Sequence, residues 1–197
     1  MIGLNFYETL MKMNNKIIIH DFVAPKCNEQ IKIIYKDEDV LVIDKPSGLL
    51  SIAGKNPLNY DCVHYRIVKD FPTAQLCHRL DLGTSGLIII GLNKESIKRI
   101  NKQFELRQVK KTYQAVLMGN VIKDEGILDY PIAKGEFPLQ KICSETGKKS
   151  QSHFKVHKRY KNIQWGCDVT EVIFSPRTGR THQLRVHAQA FGHSILQ

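Results

Sequence analysis

The sequence predicts an α+β fold, and three observations carry that expectation. Two apolar runs, Ile31–Tyr35 and Val40–Asp44, flank the turn-forming Lys36–Asp39 and read as a β-hairpin. The near-continuous apolar run Gly86–Leu92 has the character of a strand buried on both faces. Directly after it, Ile97, Ile100 and Phe104 recur at helical spacing behind Asn93, a good N-cap residue. Strands and helices interleave without a regular βαβ repeat, which favours α+β over a doubly wound parallel sheet.

Along the chain, residues 1–30 show little periodicity and contain Pro25 and several Asn, so they read as an N-terminal arm or poorly ordered extension ahead of one domain at 31–197. Beyond the hairpin, Pro46, Gly48 and Gly54 punctuate a loop, and Asn59–Asp70 reads as a helix. Strands are expected at Lys111–Met118, Gln151–Tyr160 and Cys167–Phe174. A last helix is expected over Thr181–Phe191, started by a Thr181 cap, with Leu184, Ala188 and Phe191 on one face.

With 197 residues, 42% hydrophobic and 24% charged, the composition is that of a folded chain and excludes disorder as the main state. Apolar runs are far shorter than the roughly 18 to 20 residues of a membrane-spanning helix. The first residues lack the pattern of a secretory signal, and five scattered cysteines fit neither a disulfide framework nor a zinc site. A cytoplasmic protein with reduced thiols is expected. The charge says more: 29 Lys plus Arg against 19 Asp plus Glu give +10, and no acid follows Glu171. Such an excess favours a polyanionic partner, because each phosphate neutralised releases counterions. RNA or DNA is the expected partner, ahead of a membrane surface.

No phosphate-binding glycine loop is present, and His182 and His187 stand five apart with no carboxylate between them, so neither a nucleotide cofactor nor a metal is expected. Two segments are rich in chemistry instead. His78-Arg79-Leu-Asp81-Leu-Gly-Thr84-Ser-Gly86 sets a carboxylate and a guanidinium in a loop that enters the buried strand, where catalytic groups are often placed. Residue types alone equally allow an Asp81–Arg79 ion pair and a plain turn at Thr84–Gly86. Ser175-Pro-Arg177-Thr-Gly-Arg180-Thr-His182-Gln-Leu-Arg185-Val-His187 gathers three Arg around a turn that opens a helix, which suits an anionic partner.

Together these two segments resemble the signature pair of RluA-type pseudouridine synthases. The resemblance extends in order to Asp44-Lys-Pro-Ser-Gly-Leu49, Lys110-Lys-Thr-Tyr113 with Ala115, and Glu145-Thr-Gly147, covering about residues 31–195. It implies the fold of that family, a mixed and mainly antiparallel sheet with flanking helices around a central basic cleft. It also implies a catalytic aspartate at Asp81, an active-site tyrosine at Tyr113 and an arginine pairing with the aspartate at Arg185. By the same resemblance Arg79 fills the space of a flipped nucleotide and Leu184 walls the base. His78, Thr84, Arg177, Arg180 and His182 join these as candidate substrate or RNA contacts. No cofactor and no metal are implied. The implied substrate is structured RNA, a tRNA anticodon arm or 23S rRNA, and the implied state a monomer.

The chemistry suits these residues. Isomerising uridine breaks N1–C1′ and joins C5 to C1′ without redox change, and an ionised carboxylate serves as nucleophile at C1′ or as base at C2′. Both routes stay open at this level. Arg185 is expected to hold Asp81 ionised against the effect of burial. One departure stands out: Gly192-His-Ser-Ile-Leu196 normally runs on in the family into two further strands, so this chain is expected to lack them. An RNA-binding protein of the same fold with impaired catalysis is the alternative, and a nucleotide glycosidase a third reading.

Overall fold

The computed structural model describes residues 22–54, 56–136, 139–161 and 166–196. Its strands are β1 (Lys32–Lys36), β2 (Val40–Lys45), β3 (Gln75–Leu76), β4 (Gly86–Gly91), β5 (Tyr113–Met118), β6 (Glu125–Leu128), β7 (Ile132–Lys134), β8 (Gln140–Ile142), β9 (Ser152–Tyr160) and β10 (Val169–Pro176). Its α-helices are α1 (Val63–Val68), α2 (Lys94–Glu105) and α3 (Gln183–Ala190). Two four-stranded sheets result, ordered β1-β2-β4-β3 and β5-β10-β9-β6, beside a β7–β8 hairpin. Every strand pair is antiparallel, as expected of an α+β chain.

In the first sheet, Asp37 makes the hairpin turn: its Oδ1 accepts the N–H groups of Asp39 (2.9 Å) and Val40 (2.6 Å). On β2 the inward positions are Leu41, Ile43 and Lys45, all buried, and the first two join Ile88, Ile90, Val63, Ile67 and Leu80 in one core. The α2 helix starts where expected, because Asn93 Oδ1 accepts from Ser96 N–H while Ser96 Oγ answers Asn93 N–H. A second core, around Leu117, Phe154, Val172, Phe174 and Ala188, lies between the second sheet and α3. Tyr113 packs against both cores, which places it at the seam between them.

Three findings bear on these expectations, and the first and third are corrections. The Asn59–Asp70 helix is broken into a 3-10 turn at Pro57–Tyr60 and α1, with extended backbone at Cys62 between them. The reason is that the polar side chains there serve the arm: Asn59 Nδ2 donates to Phe22 O (2.6 Å), its Oδ1 accepts from Ala24 N–H (2.7 Å), and Asp61 is gripped twice by Arg66. Secondly, the arm is held from Phe22 onward, since Arg66 also donates to the carbonyls of Cys27 and Glu29, each at 2.6 Å. The rest of the expected arm, residues 1–21, lies outside the described residues. Thirdly, α3 is not capped by Thr181: His182 occupies the cap position, in left-handed conformation and with no side-chain capping bond. β3, β6, β7 and β8 were not expected; at two to four residues they are too short for a periodic signal, and pairing creates them. Further on, Met118 N–H donates to Ser194 O and Leu196 N–H to Val116 O, so residues 194–196 lie along β5. Among the described residues no helix is long and apolar enough to cross a membrane, and all five cysteines are free.

Candidate active site

Asp81 follows a loop that the first sheet holds from several sides. The buried Lys45 ends β2 on its inward face and donates to the carbonyls of Pro46 (2.9 Å), Leu49 (2.7 Å) and Leu82 (3.2 Å). Gly48 N–H adds a bond to Leu82 O (2.9 Å), and Ser47 Oγ one to Gly83 O (3.1 Å). Gly48, at φ 79°, meets the need of this turn for a residue that tolerates the left-handed region. On the near side Ser51 Oγ donates to Leu80 O and accepts from Leu80 N–H. Residues 80, 82 and 83 are therefore tied to the 45–51 segment, and Asp81 stands between them. Thr84 N–H closes the turn onto Asp81 O (3.1 Å).

The turn before α3 supplies the partners. Gln183, buried at its start, uses its whole amide there. Its Oε1 accepts from Thr178 Oγ1 (2.8 Å) and Arg180 N–H (3.0 Å), and its Nε2 donates to Gln151 O (3.0 Å) and Ser152 Oγ (2.9 Å). From this braced turn His182 Nδ1 reaches Asp81 Oδ2 at 2.9 Å and Arg185 Nε reaches the same oxygen at 3.3 Å. The expected Asp81–Arg185 pair is thus in place, and the alternative Asp81–Arg79 pair is not among the ion pairs of the described residues. Burial alone pushes the Asp81 carboxyl up; the His182 hydrogen bond and the His182 and Arg185 charges outweigh it and hold the group below the ordinary carboxylate value. Asp81 is therefore ionised at neutral pH, with about a third of its side chain open to solvent.

Tyr113 stands at the seam, and burial, aided by the Asp81 charge, raises its hydroxyl above the ordinary phenol value. Its ring is thus neutral at pH 7 and close enough to Asp81 to feel its charge. Leu184 packs partly buried on the second core, one residue from Arg185. Arg79 and Arg177 are exposed, on the two loops that meet at Asp81 and His182. Arg180 donates to Lys149 O (3.3 Å) while its Nε is buried without a partner, and Arg185 Nη1 is likewise buried and unpartnered. Thr84 is half-buried in the Asp81 turn.

His78 is placed differently from the other candidates. Its Nε2 accepts the Ile89 N–H (3.1 Å) and its ring stacks on Phe104 at 4.9 Å, so the scaffold occupies it. Burial, together with the Lys111 charge, pushes its imidazole down to about 4. An unfolded histidine titrates near 6.5, so between about 6.5 and 4 the unfolded chain binds a proton that the folded one refuses. Stability is expected to fall as pH drops through that window, by up to about 1.4 kcal/mol per pH unit for this proton. The buried His187, held below its ordinary value by burial while it donates to Tyr130 O, acts in the same direction. Urea unfolding at pH 7 and pH 5 checks this: His78→Gln, which keeps an acceptor for Ile89, should flatten the dependence, and an unchanged slope would remove His78 from the account.

Sequence reasoning missed Lys45 and Gln183 as supports of the site. For Lys45 a signal existed, since it shares the inward period-two register of Leu41 and Ile43. For Gln183 there was none, because its four partners come from two segments, two of them about 30 positions away.

With this geometry in view, the comparisons are consistent. A family model described as RNA pseudouridylate synthase matches residues 39–190. The chain is 45% identical over 166 residues to the dual-specificity RNA pseudouridine synthase RluA of Yersinia pestis, covering 83% of this chain and 78% of that protein. To the protein of the same name from Escherichia coli (strain K12) it is 41% identical over 167 residues, covering 83% and 74%. Among solved structures, human RNA pseudouridylate synthase domain containing 1 superposes with a TM-score of 0.72 at 28% identity, covering 87% of this chain and 69% of that one.

Proposed function

The chain belongs to the RNA pseudouridylate synthase family, in its RluA group, and from that premise we propose that it isomerises uridines in structured RNA with Asp81 as the reacting carboxylate. One observation carries the assignment of the residue: an ionised, two-thirds buried carboxylate whose described bonds all fall on Oδ2, beside a neutral tyrosine at the seam of the two cores. The names of the relatives support RNA as the substrate class; a tRNA anticodon arm and 23S rRNA, the targets the resemblance implies, are the proposed ones. The net charge of +10 supports a polyanionic substrate.

In this reading the target uridine leaves its stack, at a cost of a few kcal/mol that is lowest in a loop. The exposed Arg79 fills the vacated place, and Arg177 and Arg180 hold flanking phosphates. Tyr113 stacks on the uracil, with its hydroxyl available to the C5 proton, and Leu184 bounds the base. Asp81 either attacks C1′, displacing the uracil through its N1, or takes the C2′ proton as the N1–C1′ bond breaks; the uracil then turns and C5 joins C1′ while the Asp81–C1′ bond breaks or the proton returns to C2′, after which the C5 proton departs and N1 is protonated. Atoms and charge balance with no outside reagent. We place this protein in the cytosol, acting as a monomer; five free thiols support the compartment.

The test is the product. Incubated with unmodified tRNA and 23S rRNA fragments carrying C5-tritiated uridine, the protein should release tritium while every uridine position of the RNA remains uridine or becomes pseudouridine. Free uracil in the supernatant would instead identify a glycosidase, and absence of both from a folded, RNA-bound protein would overturn the assignment.

A further inference from the structure

Among the residues expected to touch RNA, His182 has a different position. It stands at φ 54°, ψ 22°, a left-handed backbone uncommon for residues with a Cβ, among which histidine, asparagine and aspartate visit it most readily. It occupies the cap position of α3, yet makes no capping bond to the first turn. Both features are unfavourable locally, and the imidazole makes one bond in compensation: Nδ1–H to Asp81 Oδ2 at 2.9 Å. An ionised carboxylate only accepts, so Nδ1 is the donor.

The backbone strain is imposed from below. Gln183 fastens Thr178, Arg180, Gln151 and Ser152 at once, and Thr178 Oγ1 also accepts Gln151 N–H (2.9 Å). The turn therefore has one geometry, and that geometry aims His182 across to the opposite loop. Arg185 reaches the same oxygen through Nε alone at 3.3 Å, a single long contact rather than a two-pronged grip. The torsion that spins a carboxylate is soft and two-fold, so one such contact does not settle which oxygen faces outward. Two donors on Oδ2 do.

We infer that His182 is a positioning residue, which with Arg185 pins Asp81 Oδ2 and so presents Oδ1 to the ribose. The inference rests on Asp81 being the reacting group. It assigns His182 a part in turnover rather than in holding RNA, and it makes the left-handed backbone the means by which the bond is reached.

Three substitutions separate the hydrogen bond from the backbone. His182→Asn keeps an N–H near the place of Nδ1 and accepts the left-handed conformation. His182→Gly accepts that conformation but has no donor, and His182→Ala lacks both. Single-turnover tritium release and filter-binding affinity are measured on the same tRNA and rRNA fragments, with Asp81→Asn as reference and the urea midpoint of each variant recorded. The expected result is a maximal rate about 10- to 100-fold lower for Gly and Ala, the range of a hydrogen bond to a charged group, with affinity within about twofold. Asn should recover most of the rate. Glycine as active as asparagine would mean that only the backbone matters, and weaker RNA binding at an unchanged maximal rate would make His182 an RNA contact; either overturns the inference. An active Asp81→Asn would instead remove the reading of Asp81 on which it stands.

Discussion

Asp81→Asn is expected to lower tritium release by about 10³-fold or more while RNA binding persists, by comparison with the loss of a reacting group in other enzymes that use covalent or base catalysis. The substitution is nearly isosteric, so the loop tied by Lys45, Ser47, Gly48 and Ser51 is retained. What disappears is the negative charge and, with it, both a nucleophile at C1′ and a base at C2′. Asparagine can still accept from His182 or Arg185, but it offers no anion to either. Affinity depends on many phosphate contacts across a chain with ten excess positive charges, so it should keep its salt sensitivity. The same reasoning sets a pH expectation for the parent protein. Asp81 titrates below the ordinary carboxylate value, so the acid limb of its rate should not come from this group above about pH 4. Turnover by Asp81→Asn within tenfold of the parent would show that another group does the chemistry.

How far the sequence reveals this site depends on how local each signal is. The β1–β2 hairpin, β4 and α2 were readable because each has its own pattern: an Asp37 turn, an apolar run, a cap at Asn93. The paired roles of Asp81 and Arg185 were readable only through the resemblance, since 104 positions separate the partners and no periodicity links them. The Asn59–Asp70 helix failed for a related reason: its polar residues look like an exposed helical face, but Asn59 and Arg66 hold the arm, more than 30 positions away. Thr181 was the better cap by residue type, but the Gln183 bonds to Thr178 and Arg180 fix the turn so that His182 takes the position. His78, expected as an RNA contact beside Arg79, has Nε2 bonded to the Ile89 N–H and its ring against Phe104. In each case side-chain pairing overrode a local preference.

Lys45→Met is the second large effect, and its reach from a buried lysine to the reacting carboxylate explains why. An ammonium has three protons to donate, and Lys45 gives them to three carbonyls, two within its own turn and one at Leu82, beside Asp81. Burial holds the group below its ordinary value, while Cys27 and then Asp81 act the other way; the three carbonyl acceptors match the three protons of the ammonium form. Methionine fills nearly the same volume without the donor. The Leu82 carbonyl keeps its bond from Gly48, whereas those of Pro46 and Leu49 lose the partner seen here. A buried acceptor left bare costs about 1–3 kcal/mol; with Leu49 O buried and Pro46 O only half-buried, a loss of about 1–3 kcal/mol is expected in urea unfolding, partly offset by relief of the buried charge. That fraction of a domain's whole margin is large. Because the 45–51 segment also sets where residues 80 to 83 lie, turnover should fall about 100-fold even where the variant is folded, as a misplacement near 1 Å at a reacting group costs on that scale. RNA affinity should change little, since no phosphate contact is assigned to Lys45. A folded Lys45→Met with the parent's midpoint and rate would show that the Asp81 loop holds its shape without this clamp, leaving Ser47, Gly48 and Ser51 as its whole support.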